Sequence, residues 1–186
     1  MATGLANRRL TAHPDTPAPS IQIDVTSALI GSDVLKLDYV VVGAIGDLLL
    51  PPLAIPERKS ELWLHTCFEA FVGFGEGAGY VEFNFAPSRH FAAYRFEGYR
   101  EGMQPALDLP APDIHTEMDG NARFLLTAWI DLKPLNTVGP TRLGLSAVIE
   151  ARDKSISYWA LGHPPGKPDF HNSDCFTVRL AAPTGA

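Results

Sequence analysis

The sequence predicts an all-β fold, an antiparallel sandwich or jelly roll of about ten to eleven strands. Three observations carry this. Short runs of alternating apolar and polar residues recur along the chain. Glycine, proline and Asp-Gly signals separate them at the spacing of strand reversals. No stretch keeps a convincing helical period.

Residues 1–19, rich in Pro, Ala and Thr, are expected to form a poorly ordered arm, and 20–182 a single β domain. Ile21, Ile23 and Val25 alternate and open the first expected strand. Val34 to Val42 follows, with Leu35, Leu37, Tyr39 and Val41 on one side. Gly43 and Gly46 interrupt it, and Asp47 to Leu50 resumes pairing. Pro51, Pro52 and Pro56 then impose an irregular connection.

The stretch Glu61 to Phe96 organises the rest. Thr66 to Phe74 alternates, with Phe68, Ala70, Val72 and Phe74 opposed to Cys67, Glu69 and Phe71. The glycine-rich segment 75–79 allows a reversal. Tyr80 to Phe85 returns, with Tyr80, Glu82 and Asn84 opposed to Val81, Phe83 and Phe85. Pro87 breaks the ladder, and Phe91 to Phe96 makes a third strand. One face is apolar core. The other is expected to gather Glu69, Glu82, Asn84 and Arg95, beside Trp63.

After a loop through Tyr99 and Arg100, Asp113 to Met118 and Ala122 to Leu132 read as a hairpin across Asp119-Gly120. Arg142 to Ala151 and Ser155 to Leu161 form another pair, turned at Arg152-Asp153-Lys154. Gly162 to Asp169 has no regular pattern, and Cys175 to Leu180 is the last strand. The segment from His163 to His171 reads as a lid over the Trp63 face, offering Lys167 and His171 to an anionic group.

The chain has 186 residues, enough for one domain whose folding needs no disulfide or metal. Its net charge of −6, with scattered Lys and Arg, argues against a nucleic-acid footprint. No apolar run is long enough to span a membrane. Arg8-Arg9 is followed by no apolar segment of an export signal, and two cysteines suit a reducing compartment, so a cytoplasmic location is expected.

The pieces LWLHTCFEAFVG, YVEFNFAPSRHFAAYRF and ISYWALGHPPGKPDFHNSDCFTVRL resemble the DOMON-like superfamily, specifically family 9 carbohydrate-binding modules. Trp63 stands six residues before Glu69, as in that family. Tyr80, Glu82 and Phe83 match its aromatic-x-Glu-Phe strand, and Phe176 its final strand. The resemblance spans roughly residues 20–181. It implies a jelly roll in which two aromatic side chains clamp a sugar while Glu, Arg and Asn bind its hydroxyls. Trp63 and Glu69 carry over directly. Trp159 or Phe170 would supply the second aromatic, Arg89 or Arg95 the arginine, and Asn172 the asparagine. Such contacts suit a saccharide: C–H faces stack on rings, and charged groups bind hydroxyls.

Other chemistries compete. The superfamily includes haem-binding members, for which Met103, Met118, His65, His90, His115 and His163 are available, although no Cys-x-x-Cys-His attachment exists. His65 with Cys67 and His171 with Cys175 would make a zinc site if their strands converged. Glu69 and Glu82 would serve a glycosidase if their carboxyls faced each other across a groove. The expectation is a non-catalytic, cofactor-free module for a saccharide-like ligand, with a haem- or metal-binding redox module as the alternative.

Overall fold

The structure, a computed structural model, describes residues 2–31, 33–75, 77–135 and 141–180. Among the described residues twelve strands form one continuous antiparallel sheet: β1 (Ala2–Ala12), β2 (Ile21–Ile30), β3 (Val34–Gly43), β4 (Cys67–Phe74), β5 (Tyr80–Phe85), β6 (Phe91–Phe96), β7 (Gln104–Pro105), β8 (Asp113–Asp119), β9 (Arg123–Asp131), β10 (Thr141–Glu150), β11 (Ile156–Ala160) and β12 (Val178–Leu180). The path across it is β7-β6-β5-β4-β10-β11-β1-β2-β3-β9-β8, with β12 pairing the start of β10. Among the described residues helical structure is limited to single 3-10 turns, at Ile45–Asp47, Leu62–Leu64, Lys133–Leu135 and Ser173–Cys175. No helix among them is long and apolar enough to cross a membrane.

The sheet curls on itself rather than splitting into the separate layers of the expected sandwich. β1 makes the join. It pairs with β2 along most of its length and with β11 at Thr11 and Ala12, so the hydrogen bonding never breaks. The two outer strands of the path, β7 and β8, do not meet, and the curl stays open. β1 also corrects the arm expected over 1–19. Its alternation is thin because, among its described side chains, Leu10, paired with Ile23, is the one that is deeply buried, with Ala6 partly packed. The pairing is reinforced across strands by Arg9 and Asp24 at 2.9 Å.

The curl encloses the main core. Leu35, Leu37, Tyr39 and Val41 alternate inward from β3 and are fully buried. They face Phe68, Ala70 and Val72 from β4. The Tyr39 and Phe68 rings are 5.2 Å apart, and Phe68 stacks on Phe124 of β9 at 5.8 Å. The Tyr39 hydroxyl donates to the Glu69 carbonyl at 2.7 Å, tying the two halves across the core. Asp119-Gly120 turns the β8–β9 hairpin, with Gly120 at φ +54°, where glycine is favoured.

Two expected pairings are smaller than the sequence reading had them. Asp47 to Leu50 contributes a single bridge, Leu48 to Ala151, beside the 3-10 turn. Cys175 sits in the turn that precedes β12.

Candidate functional site

The site lies on the other face of β4, β5, β6, β10 and β11, the face turned away from the main core. In an antiparallel sheet this face would ordinarily meet water. Here the Leu62–Leu64 turn and the segment 161–177 cover it. Phe71, Tyr80, Tyr94, Phe96, Val148 and Phe170 pack there as a second apolar cluster, with Trp63 and Tyr158 partly buried against it. Every residue of β5 is buried as a result, on both faces. The polar members of this face are therefore buried too.

Register decides which polar groups meet. Glu69 of β4 stands opposite both Asn84 of β5 and Ser146 of β10. Glu82 is two residues from Asn84 on the same strand, so the glutamates are diagonal neighbours on one face. Glu69 is 2% exposed and Glu82 5%. Ser146 donates to Glu69 Oε2 at 3.2 Å. Asn84 donates through Nδ2 to Glu82 Oε1 at 2.8 Å, while its Oδ1 accepts from the Cys67 thiol at 3.6 Å. Burial pushes the Glu69 carboxyl well above the usual range, and the neighbouring Glu82 charge adds to this. Burial also raises Glu82, against the lowering effects of Asn84 and Arg100.

The covering segment brings a second polar chain. The Tyr80 hydroxyl lies 2.8 Å from His171 Nδ1 and accepts from the Arg100 N–H at 3.3 Å. Burial, with help from the Arg100 charge, lowers His171 to about 4. Its Nε2 is 3.8 Å from Glu82 Oε2, beyond hydrogen-bond reach. Arg100 is held by Asp169 at 2.7 Å, and Tyr99 donates to the other oxygen of Asp169 at 2.6 Å. Burial raises Asp169, but these hydrogen bonds outweigh it and hold the carboxyl below its usual range.

Glu69 and Glu82 form the floor of an open cavity of about 390 Å³. Trp63, Phe96, Tyr158 and Phe170 supply aromatic walls, and Arg100 and His171 polar ones. Trp63 is braced edge-on against Tyr94 at 5.6 Å. Of the side chains expected from sequence, Trp63, Glu69, Glu82 and His171 line this cavity, and Asn84 supports it from beneath. Phe170, one of the two residues expected to supply a second aromatic, also lines it. The segment 162–174 does cover the face, through Pro168, Phe170 and His171.

Five expected residues find other places. Trp159 points into the main core, opposite Ala147, and its Nε1 donates to Ser157. Arg95 pairs in register with Val81, a core residue, so it shares the inner parity and reaches Asp108 at the sheet edge. Arg89 binds the Ala54 carbonyl. Lys167 is exposed and lines no part of the cavity. Asn172 caps the Ser173–Cys175 turn and lines a neighbouring depression with Tyr80 and Tyr99.

Sequence reasoning missed Arg100, Phe96 and Tyr158. Phe96 and Tyr158 were visible as alternating strand residues, and Arg100 was read as loop. Among the described residues no three His, Cys, Asp or Glu side chains are grouped to hold a metal ion. His65 pairs with Glu150 at 2.8 Å and Cys175 donates to the Gly162 carbonyl, so the four-ligand convergence imagined from sequence does not form.

The fold has solved counterparts. The chain aligns with a Bacteroides uniformis protein described as a candidate carbohydrate-binding protein, with a TM-score of 0.71 at 16% identity, covering 96% of this chain and 86% of that one. It also aligns with a family 9 carbohydrate-binding module from Caldicellulosiruptor kristjanssonii, solved with cellotriose, with a TM-score of 0.58 at 10% identity, covering 97% and 88%. No family model matches the chain, and no curated protein does. The chain thus shares the fold of family 9 carbohydrate-binding modules, at a sequence distance where the likeness is one of architecture.

Proposed function

We propose that the protein is a non-catalytic binding module for a saccharide-like ligand, held in the cavity over Glu69 and Glu82. The observation that carries this reading is the cavity's composition. Two buried carboxyls form its floor, and rings of Trp63, Phe96, Tyr158 and Phe170 form its walls. A sugar presents both surfaces such a site needs: hydroxyls for the carboxyls and C–H faces for the rings. A hydrogen bond from a ligand hydroxyl to a charged acceptor contributes about 1.5–3 kcal/mol. The fold shared with carbohydrate-binding modules supports the same reading.

The carboxyl arrangement favours binding over hydrolysis. A glycosidase sets its two acids on either side of the bond it cleaves. Glu69 and Glu82 are diagonal neighbours on one sheet face and approach a ligand from the same side.

Tryptophan fluorescence during titration with a panel of mono- and disaccharides tests the proposal. Trp159 is in the core and Trp129 lies on β9 beside His115, so Trp63 is the tryptophan of the cavity. A saturable change that disappears in Trp63→Phe is expected. Absence of saturation with every sugar, or an unchanged response in the variant, would overturn it.

A further inference from the structure

The cavity floor holds two buried carboxyls, and no cation among the described residues pairs with either. Among the described residues neither Glu69 nor Glu82 has a Lys or Arg within ion-pair distance. Arg100, the one guanidinium among the described residues that line the cavity, is already paired with Asp169. His171, the basic side chain nearest Glu82, is neutral over the ordinary pH range because burial lowers it to about 4. Each carboxyl also has one oxygen engaged and one left over. Glu69 uses Oε2 to accept from Ser146, and among the described residues its Oε1 has no hydrogen bond. Glu82 uses Oε1 to accept from Asn84, and its Oε2 has only the distant His171. Both side chains are more than nine-tenths buried and line the cavity.

Resting on the carbohydrate reading above, we propose that the ligand carries a protonated primary amine, as an amino sugar does, and that its ammonium group is seated at the free oxygens of Glu69 and Glu82. An unpaired buried charge is costly, and a pair of them more so. Hydroxyl ligands can hydrogen-bond to these oxygens in either protonation state but offer no charge to offset an ionised carboxylate. An ammonium group compensates it and brings three donors, enough for one on each free oxygen with one to spare. The walls suit the same group: Trp63 and Tyr158 present aromatic rings to the cavity, and the face of such a ring attracts a desolvated cation. Burial already favours the protonated acids in the empty site. An arriving cation reverses this preference, so amine binding expels protons from the floor.

The test compares D-glucosamine, D-glucose, N-acetyl-D-glucosamine and cyclohexylammonium by calorimetry, on the full chain at a pH where the amines are protonated. Glucosamine is expected to bind at least about tenfold tighter than glucose or its own N-acetyl derivative, a difference of about 1.4 kcal/mol. In Glu69→Gln and Glu82→Gln the ratio of glucosamine to glucose affinity is expected to collapse toward about one. Equal binding of glucosamine and glucose by the wild type overturns the amine proposal and leaves the carbohydrate reading standing. Binding of cyclohexylammonium as tight as glucosamine, with no neutral sugar bound, keeps the amine and removes the carbohydrate. Failure of all four ligands to bind overturns both. If either glutamine variant fails to fold, the wild-type ratio decides the question.

Discussion

The Tyr80 hydroxyl and His171 Nδ1 lie 2.8 Å apart, joining the second strand of the central hairpin to a segment some ninety residues further along the chain. The same hydroxyl accepts the Arg100 N–H at 3.3 Å. One oxygen thus fixes both polar residues that close the cavity. Tyr80→Phe removes this oxygen while keeping the ring, which stacks on Phe96 at 4.8 Å. The expected cost is about 1–2 kcal/mol, since a partly buried amide and an imidazole nitrogen each lose a partner. Urea unfolding of wild type and variant measures it. An unchanged midpoint would mean that water replaces the hydroxyl without loss.

His171 makes stability depend on acid. Its pKa falls from an ordinary 6.5 to about 4 in the folded protein, because burial disfavours the imidazolium. Between those values the unfolded chain binds a proton that the native protein does not, so this group's contribution to stability declines as pH drops from about 6.5 to about 4. The full effect is on the order of 3 kcal/mol. His171→Gln does not titrate. Its stability relative to wild type is expected to rise steadily as pH is lowered through this window, in denaturant titrations at matched pH. A constant difference would show that His171 is not desolvated as described.

The glutamates act in the opposite sense. Their folded pKa values lie above the ordinary 4.5, so the native state binds more protons than the unfolded chain once pH exceeds that value. Their contribution is therefore greatest in acid and is lost as pH rises through the folded pKa. Glu69→Gln removes the ionisation but keeps the shape. The variant is expected to gain on wild type as pH increases from about 4.5, the reverse of the His171→Gln trend. Parallel pH profiles for wild type and variant would contradict a raised Glu69.

Much of this arrangement was legible from alternation. Glu69, Glu82 and Asn84 share a face because strand side chains alternate and the β4–β5 hairpin has no bulge. Arg95 and Trp159 were misplaced for one physical reason. β6 is buried on both faces apart from Arg95, and the Tyr158 face of β11 is partly buried against the second cluster, so apolar residues stand on both parities and hydrophobicity does not say which points inward. Register alone resolves it, through Val81 opposite Arg95 and Ala147 opposite Trp159. Arg100 was invisible because its partner, Asp169, is supplied by a distant segment. β1 escapes the alternation because, among its described side chains, Leu10 is the one that is deeply buried, and most of its pairing is between backbone groups.

The contrast between two tryptophans gives the last prediction. Trp159 is 6% exposed in the main core, while Trp63 is half-buried on a cavity wall. Trp159→Ala leaves a large void and removes the hydrogen bond that the Ser157 hydroxyl accepts, and the expected loss is about 3–5 kcal/mol. Trp63→Ala removes a ring that meets Tyr94 edge-on at 5.6 Å, and its neighbours can relax toward solvent. Its expected loss is about 1–2 kcal/mol. The functional ranking should be inverted. Trp63→Ala is expected to abolish saccharide binding in a folded protein. Trp159→Phe, which keeps most of the buried volume, should bind as wild type does. Circular dichroism and urea midpoints establish the order of stabilities, and calorimetry the order of affinities. If Trp159→Phe lost binding while remaining folded and Trp63→Ala retained it, the ligand would have to sit elsewhere than on the face of Glu69 and Glu82.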